Sequence, residues 1–225
     1  MSKHITTTIS KKTGQQYINY ISPIGVAHFP KLIEPDEYEG VKKWKTGLIM
    51  SADAADAFIA ELQPLLDAFV QETIEAGPNV AKRKKLEAFE VKEIMKDELD
   101  ESGEPTGNVI LQVSRNVETK KGRNDPPSFF DSFNKPITLD SLWGGSRVRC
   151  AGYVMLYCMK GTKSFGASVK LDAVQVIELR DKSSGGGGGS AFGVVEGGFG
   201  GSSADTSRPT APQSGSAPDE DDEEF

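Results

Sequence analysis

The stretch Gly144-Gly145-Ser146-Arg147-Val148-Arg149-Cys150-Ala151-Gly152-Tyr153-Val154-Met155-Leu156-Tyr157-Cys158-Met159-Lys160 reads as one long β-strand. Side chains alternate between the two faces of a strand. The even positions, Val148, Cys150, Gly152, Val154, Leu156 and Cys158, are all apolar or small and can pack on a core. The odd positions present Arg147, Arg149, Ala151, Tyr153, Met155 and Tyr157. Guanidinium groups pair with phosphates, and phenol rings offer platforms on which unpaired bases stack. A half-buried strand with a solvated Arg/Tyr face has the same pattern, so the strand alone leaves both readings open.

Outward from this strand, the chain has further β-type segments and one helix. Lys43–Met50 alternates Trp44, Thr46, Leu48 and Met50 against Lys43, Lys45 and Ile49. Ser51 then caps a helix, and Phe58, Leu62, Leu65, Leu66, Phe69 and Ile74 recur at helical spacing to about residue 76. Asn108–Val117 is a strand with Val109, Leu111, Val113 and Val117 on one face. A hairpin is expected around Phe129, Phe130, Phe133 and Asn134-Lys135-Pro136, with at least one of the phenylalanines in the core. The last strand runs Ala167–Arg180, with Val169, Leu171, Ile177 and Leu179 expected inside. Residues 25–35 form a short strand interrupted by Pro30 and Pro35, which cannot donate to a central ladder. Residues 79–108 are charged and of mixed sign, and Trp143 fits either a core or a surface role.

Several strands, one inserted helix and no βαβ alternation argue for an antiparallel barrel. A mainly β, OB-fold-like Greek-key barrel that binds oligonucleotides accommodates this order, as does a β-sandwich.

Charge is unevenly distributed. The chain has 225 residues and a net charge of −7. Residues 183–225 hold eight acids and one base, whereas 105–182 hold twelve bases and seven acids. Residues 1–182 are therefore read as the folded domain, with the helical insertion at about 52–76. Residues 183–218, rich in Gly, Ser and Pro, are read as a disordered linker. Residues 219–225 form an acidic tip of Asp219, Glu220, Asp221, Asp222, Glu223 and Glu224, closed by Phe225.

Other classes are disfavoured. Cys150 and Cys158 lie eight positions apart on one strand, beyond disulfide reach, and read as reduced thiols of a cytosolic protein. With His4 and His28 they show no metal-ligand spacing, so no metal or cofactor is expected. No stretch reaches the ~20 apolar residues of a membrane span, and the N-terminus lacks the apolar run of a secretory signal. No nucleophile–His pair is present, and Gly185–Gly189 lacks the Lys-Ser/Thr of a phosphate loop, so an enzyme is not expected.

The run Gly144-Gly145-Ser146-Arg147-Val148-Arg149, the stretch Gly166-Ala167-Ser168-Val169-Lys170-Leu171 and the acidic tail ending in Phe225 resemble phage-encoded single-stranded DNA-binding proteins, in particular those of short-tailed coliphages that carry their own replisome. The resemblance implies an OB-fold that coats single-stranded DNA with little sequence preference, in the cytoplasm of an infected bacterial host. It also implies a tail, Asp219–Phe225, that contacts phage replication proteins such as polymerase and helicase and competes with DNA. The residues suited to phosphate contacts are Arg147, Arg149, Lys120, Lys121, Arg123 and Lys163; those suited to stacking are Tyr153, Tyr157 and Phe165. The tail also fits a plain solubilising role, but solubility needs no terminal aromatic. A strand-annealing protein and an adaptor acting through its tail are the rival readings. The helix can pack on its own barrel or on a second subunit, which leaves a homodimer open.

Overall fold

The structure is a computed structural model, and it describes residues 3–9, 16–120 and 122–180. The acidic tip and the linker lie outside these residues, as does Lys121. In chain order the elements are β1 (Ile5–Ile9), β2 (Gln16–Ile21), β3 (Gly25–Tyr38), β4 (Val41–Ser51), α1 (Ala52–Glu75), α2 (Val80–Glu87), β5 (Glu90–Val91), β6 (Met95–Leu99) and β7 (Pro105–Asn116). They continue with β8 (Glu118–Thr119), β9 (Gly122–Arg123), β10 (Ser128–Phe130), β11 (Pro136–Ile137), β12 (Arg147–Met159) and β13 (Ser164–Glu178).

Five strands close on themselves. β3 pairs with β4, β4 with β7, β7 with β13, β13 with β12, and β12 returns to β3 through Arg147↔Val26 and Val148↔Gly25. Only the β7–β13 step is parallel within this ring. Numbered along the chain, the barrel strands run 1-2-3-5-4-1, a closed Greek-key barrel of the OB-fold type. Closure sets aside the open sandwich. β1 and β2 extend the sheet from β12, and Glu61 of α1 anchors β1 by accepting the backbone N–H groups of His4 and Ile5. No helix among the described residues is long and apolar enough to cross a membrane.

β12 keeps the alternation read from the sequence. Val148, Cys150 and Val154 are buried, while Arg147, Tyr153 and Met155 face outward. Burial pushes the Cys150 thiol up to about 12, so it stays protonated, and both cysteines are free thiols.

β13 departs from expectation in its second half. Val169 and Leu171 point inward, but beyond them Val174 and Val176 are buried, whereas Ile177 is half-buried and Leu179 exposed. The cause is a bulge: Ala151 pairs with Ala173 but Gly152 with Leu171, so Asp172 is an extra residue and the inward phase slips by one. Arg115 holds this bulge, donating to the Asp172 carboxylate and to the Leu171 carbonyl. Gly152 sits opposite, where a Cβ would come within 2.0 Å of the Lys170 carbonyl oxygen.

β3 is longer than the proline-interrupted segment read from sequence. Its pairing with β4 shifts register between His28 and Lys31 and again between Lys31 and Asp36. Pro30 and Pro35 fall in these two irregularities, where no ladder donor is required.

α1 is capped by Ser51, whose Oγ accepts from Ala54 N–H at 3.4 Å. Its stripe of Ala55, Phe58, Leu62, Leu66 and Val70 is buried on its own barrel. Phe58 and Leu62 join the main core, with Tyr20 edge-on to Phe58 at 6.1 Å. Leu66 and Val70 form a second core with Phe89 and Phe165. Phe129 packs against the main core from the β10–β11 hairpin, and Phe133 is exposed.

Candidate nucleic-acid interface

Strand register builds a row of outward side chains across the barrel. Lys31 of β3 pairs with Lys45 of β4, Lys45 with Ser114 of β7, Ser114 with Lys170 of β13, Lys170 with Tyr153 of β12, and Tyr153 with Asn19 of β2. Neighbouring strands lie about 4.8 Å apart, so from Lys31 to Tyr153 the row follows roughly 19 Å of curved surface. Lys43 lies one outward position along β4 from Lys45, opposite Asn116.

Lys170 is the centre of this row electrostatically. Its ammonium is half-buried and titrates below the usual lysine range, mainly because burial penalises its charge and secondarily because Lys43 repels it. It makes no ion pair among the described residues. A desolvated cation beside another cation is a favourable seat for an anion, which would offset both costs. Lys45 is held by Asp36 at 2.6 Å, and hydrogen bonding from Lys45 keeps that carboxyl below its usual range. A phosphate at Lys45 would displace an exposed ion pair of small worth.

Two depressions flank the row. One, of about 480 Å³, is lined by Tyr38, Lys43, Lys45, Gln112 and Ser114 on the second and third barrel strands and the hairpin between the first two. Tyr38 stands 72% exposed beside the turn at Glu39 and Gly40. The other, of about 590 Å³, lies between β2, β12 and α1, with Tyr17, Tyr153, Met155, Leu65 and Phe69 around it.

The site residues expected from sequence are spread over this surface. Tyr153 lies in the row and is 36% exposed. Tyr157, four positions along β12, is half-buried and lies across Gly166: a Cβ there would be 2.5 Å from the Tyr157 hydroxyl. Arg147 is exposed and 3.6 Å from Glu178. Arg149 is half-buried, and its Nε donates to the Ser22 carbonyl at 3.3 Å, so this guanidinium braces the β2–β3 connection. Lys120 and Arg123 are exposed on the β8–β9 hairpin, which leaves β7 where Val117 N–H donates to the Lys42 carbonyl, next to Lys43. Lys163 is exposed in the β12–β13 turn, roughly 23 Å along the chain from Lys170.

Phe165 corrects the sequence reading. It is fully buried against Phe69 and Phe89, at ring-centroid distances of 6.4 and 5.8 Å, and presents no face to a base. Its cross-strand partner Cys158 lies on the inward phase of β12, which directs the ring under α1 and α2. The residues that sequence reasoning passed over are Lys31, Lys45, Ser114 and Lys170. Alternation marks each as outward on its own strand, but their convergence depends on the strand order.

No family model and no curated protein sequence matches this chain. Among solved structures, it superposes on gp2.5, a single-stranded DNA-binding protein encoded by bacteriophage T7, with a TM-score of 0.59 and 17% identity, over 83% of this chain and 100% of that one. The chain shares the gp2.5 fold. The single-stranded DNA-binding protein of bacteriophage Enc34, solved also with single-stranded DNA, gives a TM-score of 0.46 and 14% identity over 80% of this chain and 95% of that chain. At 17% identity the likeness to gp2.5 is one of fold alone.

Proposed function

We propose that this protein coats and protects single-stranded DNA with little sequence preference during phage DNA replication, in the cytoplasm of the infected host. The observation that carries the reading is the row Lys31–Lys45–Ser114–Lys170–Tyr153 on the barrel face, with its desolvated, unneutralised ammonium at Lys170. Shared architecture with gp2.5 supports it.

The division of labour follows from the side chains. Lys43, Lys45 and Lys170 hold consecutive phosphates as point charges. Tyr153 supplies a ring on which one base stacks, worth about 1–3 kcal/mol whatever the base. Lys120 and Arg123 extend the cationic track beyond Lys43, and Arg147 adds to it by exchanging Glu178 for phosphate. Cations and a ring read the backbone and the π-face rather than base edges, which gives binding without sequence readout. The tail, Asp219–Phe225, is assigned the role of recruiting replication proteins and competing with DNA; its six acids and Phe225 support this.

The test is fluorescence anisotropy of labelled oligo-dT, with duplex as control. Six contacted phosphates give a log–log salt slope of about −4 on a single strand, hence a loss of roughly 250-fold between about 50 and 200 mM salt. A chain ending at Pro218 should bind more tightly than the full chain at the lower salt. Equal affinity for duplex, or flat salt dependence, would contradict the reading.

A further inference from the structure

We infer that Phe29 and Trp143 form a second station for unpaired bases, beyond the Lys31 end of the row; the inference rests on the proposed single-strand binding. Phe29 combines two properties that folding alone does not explain. Its backbone is in the left-handed region at φ 45°, and its ring is 77% exposed. It sits in the β3 bulge, where Phe29 and Pro30 together oppose Thr46. A left-handed bulge position is one that glycine fills at least cost. A large apolar ring there gains no burial to offset the strain, and strained residues of this kind gather at binding sites.

The surroundings give the ring a task. The bulge turns Phe29 outward, with the His28 ring 4.2 Å away and tilted against it. Trp143, 41% exposed, lines the same depression of about 470 Å³. Its position is fixed by the following glycines: Gly145 N–H donates to the Ala27 carbonyl, and Ala27 N–H donates to the Ser146 carbonyl. Gly145, at φ 92°, makes this approach of the chain to β3. Lys31 both lines the depression and begins the cationic row. A single strand leaving Lys45 over Lys31 therefore meets two fixed aromatic surfaces, with a cation to hold the intervening phosphate. Unpaired bases match this surface: flat, apolar and continuous with a line of ammonium groups.

The test compares full-length wild type, Phe29→Gly and Trp143→Phe with oligo-dT of about four and about sixteen nucleotides, the range of site sizes of a single OB-fold. Phe29→Gly should weaken the long oligonucleotide by about 5- to 150-fold, the range for a lost stack, and the short one much less. It should also raise the melting temperature or leave it unchanged, because glycine relieves the strain. Trp44 is buried, so tryptophan quenching by the long oligonucleotide should disappear in Trp143→Phe. Wild-type affinity in Phe29→Gly, with no quenching from Trp143, would overturn the station while leaving the row intact. Failure of the wild type to bind either oligonucleotide would overturn both readings together.

Discussion

Lys170→Glu is expected to lower affinity for oligo-dT by about 100-fold and to leave the fold at least as stable. A hydrogen bond to a charged group contributes about 1.5–3 kcal/mol, or about 10- to 150-fold, and charge reversal adds repulsion of the phosphate. Stability should not fall, because a glutamate there would bear a comparable desolvation cost but would be attracted by Lys43, which repels the lysine. The depressed lysine value also fixes a pH dependence. Below the folded value the ammonium is charged in both the folded and unfolded chain, and folding bears its desolvation. As pH rises from that value towards the ordinary 10.5, the folded chain releases the proton first and this cost is relieved. Stability from this group therefore increases over the window in which DNA affinity decreases. Lys170→Arg stays charged throughout, so its affinity should persist to higher pH than that of the wild type. Anisotropy and thermal melting over an alkaline series check both signs.

Phe165→Ala is expected to cost about 3–5 kcal/mol of stability, the range for truncating a buried phenylalanine. For a folded body of this size that is a drop of roughly 6–20 °C in melting temperature. The second core has few members, Leu66, Val70, Phe89 and Phe165, so little remains to close over the cavity. Affinity for oligo-dT, corrected for the folded fraction, should be unchanged. A stable protein with weakened binding would be the signature of an exposed stacking ring and would contradict the burial of Phe165. Thermal denaturation followed by circular dichroism, with anisotropy well below the transition, separates the two.

These two residues also mark what a sequence can and cannot disclose. The alternation of β12 was legible because it is local: each of its inward residues is two positions from the next. The helix was legible for the same reason at a spacing of three to four. The phase slip of β13 was not, since the bulge at Asp172 depends on Arg115, far away in the chain. Phe165 was misread because it follows Lys163 in a basic loop, while the residues that bury it, Leu66, Val70 and Phe89, come from the helical insertion and the segment after it. The cationic row is the most extreme case. Lys31, Lys45, Ser114, Lys170 and Tyr153 become neighbours only through the 1-2-3-5-4-1 strand order. Tyr153 was legible as an outward ring, but the lysine paired with it was not.

The proposed path takes a single strand across the face of β12, β13, β7 and β4. It is tested most directly by ultraviolet crosslinking of oligo-dT to the full-length protein, with the attached peptides identified by mass spectrometry. Crosslinks should fall on Tyr153 and on peptides spanning Lys43–Lys45 and Ser114, and should diminish in Lys170→Glu. Crosslinks confined to α1 and α2, with none on β4, β7 or β12, would rule this path out.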